Sequence, residues 1–286
     1  MSWVRDVWKK PDRPAPDPAP DARRPGRQAA SSPKLTIGYA SDVGQVRHHN
    51  EDVLLTLGTS QLGDQAIDTL GWFALADGMG GHQSGEKASA LAVRVVTHSL
   101  LTEILRSYLF NETRDASQPS LSEVLVNAVQ AANKAVHDKV PDGGTTLTCA
   151  LVLGSRLYLA HVGDSRAYLF AGDKLRQITK DHSLVDRLVE LGQISSDEAL
   201  NHPQRNVLYR AVGQGEALEV DTYIESLPGT YRLMLCCDGL WGMVSDDQLT
   251  QVIRSAPTPQ EACDRLVELA NAAGGKDNIT VVVVEP

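Results

Sequence analysis

Paired cysteines are missing from this sequence. Its 286 residues include four cysteines, and no two form a C-x-x-C pair, so a zinc ribbon or a thioredoxin-type redox motif is excluded. Cys149 and Cys263 stand apart. Cys236 and Cys237 are adjacent, and strand alternation would point them to opposite faces. Scattered cysteines in a chain of this length read as small buried hydrophobes in a reducing compartment. A run of about 18 apolar residues is also missing, so the composition offers no transmembrane segment. Met1 to Lys10 contains no apolar h-region, which points away from a cleaved secretory signal. Excess positive charge is lacking too: 27 basic and 36 acidic residues leave −9, the wrong sign for neutralising nucleic-acid phosphates. No repeat with a period of about 20–50 residues is visible. The expectation is a soluble, cytoplasmic, monomeric protein without a nucleic-acid partner.

Apolar residues make up 42% of the chain, enough for a globular core and too many for disorder throughout. Composition breaks near residue 33. Seven of the 14 prolines lie between Pro11 and Pro33, a stretch that cannot bury enough surface to order itself. Residues 1–33 thus read as a Pro-rich disordered tail of charge +3, leaving −12 on residues 34–286. Within that tail, Trp3, Val4, Val7 and Trp8 have helical spacing and suggest a docking peptide for a partner, although so short a segment forms no stable isolated helix.

Beyond residue 33, short apolar runs predict strands at 35–40, 53–57, 72–76, 146–153, 157–162, 166–170, 231–237 and 278–284. Helices are expected over 84–108, 121–138 and 246–254. The last two start with the capping-box pairs Ser120/Glu123 and Ser245/Gln248. Thr258-Pro259 opens a further helix that Gly274-Gly275 stops. Three strands follow one another over 146–170, separated by tight turns at Gly154-Ser155 and Gly163-Asp164-Ser165. Consecutive hairpin-linked strands predict antiparallel sheets in an α+β domain.

The chemistry gathers at strand ends. Apolar strands run into Asp77-Gly78, Asp238-Gly239 and Gly163-Asp164, and Asp277 immediately precedes a strand. A rigid sheet positions such carboxylates, and a following glycine lets the backbone turn close to a ligand. Asp-Gly alone more often marks a turn. If the acids converge, their repulsion requires a cation or retained protons. Oxygen donors without a paired-His motif select Mg²⁺ or Mn²⁺, with Ca²⁺ a further option. No EF-hand loop occurs, and Glu86 stands where a P-loop lysine is required. Gly163-Asp164-Ser165-Arg166-Ala167 is no nucleophile elbow.

Six motifs in order, Arg47-His48-His49-Asn50-Glu51-Asp52, Asp77-Gly78-Met79-Gly80-Gly81, Gly144-Thr145-Thr146, Gly163-Asp164-Ser165-Arg166, Asp238-Gly239-Leu240-Trp241 and Lys276-Asp277-Asn278-Ile279-Thr280, carry a resemblance. The chain resembles the bacterial metal-dependent serine/threonine protein phosphatases of type 2C, over residues 34–286. That resemblance implies two antiparallel sheets packed as a central sandwich flanked by helices, with metals at one end. It also implies two core Mn²⁺ or Mg²⁺ ions and a weaker third. Asp77 would bridge the core pair, the Gly78 carbonyl would join the second ion, and Asp238 and Asp277 would hold the first. Asp52 and Glu51 would act through water, Asp164 on the third ion with Asp238, and Asn206 would lend it an oxygen. Arg47 would grip the phosphate. Residues 181–216 would form a flap beside the site.

The implied reaction is attack of a metal-bridging hydroxide on phosphoserine or phosphothreonine in proteins, reversing a serine/threonine kinase. The kinase or its targets would be partners. One departure is Met79, which stands where animal members have a histidine proposed as general acid. His82, His48, His49 and His182 read as structural or solvated rather than as its replacement. Two rival readings remain: an inactive regulatory module, which would normally have lost metal acids, and an enzyme for one dedicated partner recruited through the tail.

Overall fold

The computed structural model describes residues 34–59, 69–80, 84–105, 108, 118–195, 198–199 and 202–286. The tail 1–33, with Trp3 and Trp8, lies outside them, as does His82.

Two antiparallel sheets stack face to face, with helices on both outer faces. One sheet has the order β1 (Thr36–Asp42), β11 (Ile279–Glu285), β10 (Arg232–Cys236), β7 (Arg166–Ala171), β8 (Lys174–Gln177). The other runs β2 (Asp52–Gly58), β3 (Leu70–Met79), β5 (Leu147–Leu153), β6 (Arg156–Val162), β9 (Asp221–Ser226), with the short β4 (Gly144–Thr145) on β3. This is the expected α+β sandwich.

Strand alternation builds three apolar layers. Along β3, Phe73 and Leu75 face the second sheet, where they meet Leu233, Leu235 and Val282. Trp72, Ala74 and Ala76 face outward, under α1 (Ser84–Leu100) and α2 (Leu121–Lys139). On the opposite face Met234, Cys236, Val281 and Val283 pack beneath α5 (Asp246–Ser255) and α6 (Pro259–Ala272). Cys236 and Cys237 enter different layers, as alternation predicts. All four cysteines are buried and unpaired.

The helices start where their caps say. Ser120 and Glu123 form a reciprocal capping box, and so do Ser245 and Gln248. Thr258 caps the helix that carries Pro259 in its first turn. The segment Ser84–Leu105 has the length and apolar character of a membrane span. Its Ala88, Ala92, Val96 and Leu100 are nevertheless buried against the sheet, and a five-residue π segment, Leu101–Leu105, wider than an α turn, ends it.

One expectation needs correcting. The turn at Gly154-Ser155 does join a hairpin, since β5 and β6 pair. Gly163-Asp164-Ser165 does not. There the chain leaves β6 and crosses to the other sheet, where β7 pairs with β10 and β8. A tight connection has the same local sequence in either case; the apolar layer between the sheets decides which strand the chain joins next. The crossing places Asp164 where the two sheets meet at one end.

Candidate metal centre

Registers bring the acids to that same end. Asp52 begins β2 directly opposite Asp77 near the end of β3. Leu147 at the start of β5 pairs with Val162 at the end of β6, so Asp164 emerges beside them. Cys236, the last residue of β10, faces both Arg166 and Val281 near the starts of β7 and β11. Asp238 follows that end in the sequence and opens α4 (Asp238–Trp241), and Asp277 lies just ahead of β11.

Each acid is held by its backbone. Asp77 is clamped from both sides: its N–H donates to Thr146 Oγ1 at 2.9 Å, and its carbonyl accepts from Thr146 N–H at 2.9 Å and Thr145 Oγ1 at 2.8 Å. Thr146 Oγ1 is in turn 2.8 Å from Ser165 Oγ, beside Asp164. Gly78 has no room for a side chain, because a Cβ there would meet the Glu51 carbonyl at 2.6 Å. Its N–H donates to that carbonyl at 3.2 Å.

Asn278 is the staple of the opposite wall. Its amide donates to the Val43 and His49 carbonyls at 3.0 and 2.9 Å and accepts from Glu51 N–H at 2.8 Å. The 43–51 segment, with Arg47 and Glu51, is thereby fixed against β11. Arg47 reaches across to Asp277, Nη2 to Oδ2 at 2.7 Å. Its ion-pair partner is thus Asp277, not Glu51 four residues on.

On the far side, Arg166 grips Asp181 through Nε and Nη2 and lies 3.6 Å over the Trp241 ring. Trp241 Nε1 donates to the Asp164 carbonyl at 3.0 Å. His182 fixes Gly163 twice: its backbone N–H donates to the Gly163 carbonyl at 2.8 Å, and its Nδ1 accepts from Gly163 N–H at 3.1 Å. The ring proton therefore sits on Nε2, facing Asp221 Oδ2 at 3.3 Å. His182 is buried and structural, as the sequence suggests.

Electrostatics show how much this arrangement costs without a cation. Burial pushes the Asp52 carboxyl up to about 7, with the Asp238 and Asp277 charges adding to it. Asp238 rises to about 6, through burial and then Asp277. Asp77 and Asp164 are raised well above the usual carboxylate range, burial again coming first and neighbouring aspartates next. Burial also raises Glu51. Among the described residues neither carboxylate oxygen of Asp52 finds a hydrogen-bond donor, and Asp52 is only 8% exposed. Buried, unpartnered anionic oxygens converging from several strands are what a hard divalent ion neutralises. The residues fit such an ion.

Cys237, which the sequence reads only as a buried hydrophobe, stands at the site. Its Sγ lies within 4.8 Å of carboxylate oxygens of Asp52 and Asp77. The thiol donates to the Asn278 carbonyl at 3.2 Å and accepts from Thr280 N–H at 3.1 Å. Alternation from Leu235 was the available signal, since it turns Cys237 inward toward β2 and β3. Asn206 is exposed, and its amide oxygen accepts from Arg205 Nε at 3.4 Å; among the described residues no contact joins it to Asp164 or Asp238. In the 181–216 segment the structure forms α3 (Leu184–Glu190), capped by Ser183, while 196, 197, 200 and 201 lie outside the described residues.

The model of one protein family, protein phosphatase 2C, matches residues 39–197 and 222–279. The chain belongs to the protein phosphatase 2C family. Among its relatives, the serine/threonine phosphatase stp of Listeria innocua is 38% identical over 254 residues, 86% of this chain and 94% of that protein. The serine/threonine protein phosphatase PstP of Mycobacterium tuberculosis is 40% identical over 261 residues, covering 88% of this chain and 45% of that longer protein. A crystal structure of the catalytic domain of PstP in complex with two manganese ions superposes with a TM-score of 0.71 at 36% identity, over 88% of this chain and 98% of that one. The two-sheet fold found here is that of the phosphatase 2C structures.

Proposed function

We propose that this phosphatase 2C member hydrolyses phosphoserine and phosphothreonine in proteins at the acidic end of its sandwich, within a catalytic domain spanning residues 34–286. The enzyme class follows from the family: the chain is a serine/threonine protein phosphatase. The observation that carries the site assignment is the buried Asp52 carboxylate, which has no hydrogen-bond partner among the described residues and faces Asp77 across the strand pair.

Asp77, the Gly78 carbonyl, Asp238 and Asp277 are the proposed holders of two Mn²⁺ or Mg²⁺ ions. Asp52 and Glu51 act through water. Asp164, with Asp238 and Asn206, is assigned to a weaker third. Bound there, divalent ions supply hydroxide from water near neutral pH and absorb charge on the phosphoryl oxygens. The protein's own part is positioning. Thr145 and Thr146 fix the Asp77 backbone, Asn278 fixes the 43–51 segment, and Arg47 presents a planar fork of donors to a phosphate. In this structure that fork rests on Asp277.

The biological setting we infer is reversal of a serine/threonine kinase, with its targets as substrates. Phosphate release from phosphoserine and phosphothreonine peptides, with a phosphotyrosine peptide alongside, tests the reading. Release from the first two supports it. Release from phosphotyrosine alone overturns it.

A further inference from the structure

A cleft of about 710 Å³ opens beside the acidic end, and none of the residues assigned above to metal or phosphate lines it. Its inner wall is Met79. Asp77 and Met79 are two residues apart on β3, so they belong to the same face, separated by about 6.6 Å along the strand. The cleft therefore continues the face that carries the proposed metal ligands. A peptide whose phosphate sits at Asp77 reaches the cleft with the side chain about two residues away, because an extended chain advances ~3.3–3.6 Å per residue.

His137, Gln214 and Asp142 supply the polar side chains of its walls. His137 Nδ1 faces the Gly213 carbonyl at 3.3 Å. A carbonyl only accepts, so Nδ1 carries a proton there. Gln214 turns its amide nitrogen toward Met79 Sδ at 3.6 Å, leaving its amide oxygen to face elsewhere. Asp142 is exposed and is the one Asp, Glu, Lys or Arg among the described residues that line the cleft. Its φ of 62° sets it in the left-handed turn leading to β4. The −12 charge on residues 34–286 attracts cations to such a concavity.

We propose that this cleft binds a lysine or arginine side chain about two residues from the phosphorylated residue, with Asp142 as its anionic partner. The proposal rests on the phosphatase reading and adds a substrate preference to it. An ammonium or guanidinium supplies several donors and a positive charge, the complement of the Asp142 carboxylate. An acidic side chain at the same place would meet Asp142 and the domain's negative field.

The test uses the full chain with Mn²⁺ and two kinds of substrate. One is a set of phosphothreonine peptides with arginine, alanine or glutamate placed one, two or three residues to either side. The other is para-nitrophenyl phosphate, which is too small to reach the cleft. Each is measured on the wild type and on Asp142→Asn, because asparagine tolerates positive φ and removes only the charge. The wild type should favour arginine over alanine two residues away on one side by about twofold to fivefold in kcat/KM, mainly through KM. Asp142→Asn should lose that preference while hydrolysing para-nitrophenyl phosphate at the wild-type rate. Equal use of arginine and alanine peptides by the wild type overturns the proposal, as does a preference that survives in Asp142→Asn. Loss of para-nitrophenyl phosphate turnover in Asp142→Asn overturns it as well, since the residue would then serve the reaction centre. If the wild type hydrolyses neither kind of substrate, the phosphatase reading itself has failed.

Discussion

Asp52 and Asp77 stand directly opposite each other on neighbouring antiparallel strands, β2 and β3. Like charges in that relation destabilise a sheet, and here both are raised by burial with neighbouring aspartates adding. The sandwich tolerates the pair at an end where Asp164, Asp238 and Asp277 also gather. That repulsion is what the proposed divalent ions would neutralise.

A pH dependence follows for the metal-free protein. Asp52 is raised to about 7 in the fold, against about 3.9 when unfolded. Between those values the folded chain keeps a proton that the unfolded chain releases. Its stabilising contribution is therefore complete below about pH 4 and is lost as pH rises through about 7. In chelator, wild-type Tm should drop more across that window than the Tm of Asp52→Asn. Parallel pH profiles would show that Asp52 does not carry the strain.

Individual acids should separate by role. Asp238→Ala removes a proposed holder of the core ions and should cost several orders of magnitude in turnover, with Mn²⁺ affinity measured by calorimetry falling in parallel. Asp164→Ala should keep core Mn²⁺ binding and lower turnover less. Equal Mn²⁺ affinity in Asp238→Ala and wild type would remove Asp238 from the core site.

Arg47 offers a split between binding and chemistry. A fork that grips phosphate in ground and transition states alike contributes mostly to KM. Charge-assisted hydrogen bonds contribute about 1.5–3 kcal/mol, so Arg47→Ala should lose roughly one to two orders of magnitude in kcat/KM. Arg47→Lys should recover part of it, lacking the fork. An exposed ion pair with Asp277 and nothing more would leave kinetics within about twofold.

Gly163 should be a stability position as well as a functional one. It has φ 110°, and a Cβ there would meet Thr146 Cβ at 2.6 Å, the residue that clamps Asp77. Gly163→Ala should cost on the order of 1–3 kcal/mol, a Tm loss of about 2–4 °C per kcal/mol in a domain of this size. It should also weaken Mn²⁺ binding, because Thr146 must shift. An unchanged Tm would contradict the close approach.

Much of this was legible because local signals agreed. Ser120/Glu123 and Ser245/Gln248 announced their helices, and apolar runs ending in Asp-Gly announced both the strands and the acids. The missed elements lack such signals. β8 (Lys174–Gln177) and β9 (Asp221–Ser226) are part-exposed edge strands, in which charged and polar residues interrupt any apolar run. The crossing at Gly163–Ser165 reads locally as a hairpin, and only the packed layer between the sheets redirects it. Thr146, Cys237 and Asn278 act through contacts with residues far away in the chain, which no local pattern reveals. His182 and Asp221 meet in the same way, from either side of most of the segment that the resemblance implies to be a flap.

The central claim is that these acids hold divalent ions that the reaction requires. Phosphothreonine peptide turnover, measured first in excess EDTA and then during titration with Mn²⁺ beyond the chelator, tests it most directly. The account predicts no turnover in EDTA and recovery with Mn²⁺, and little recovery in Asp238→Ala at the same Mn²⁺. Full turnover in excess chelator would contradict it.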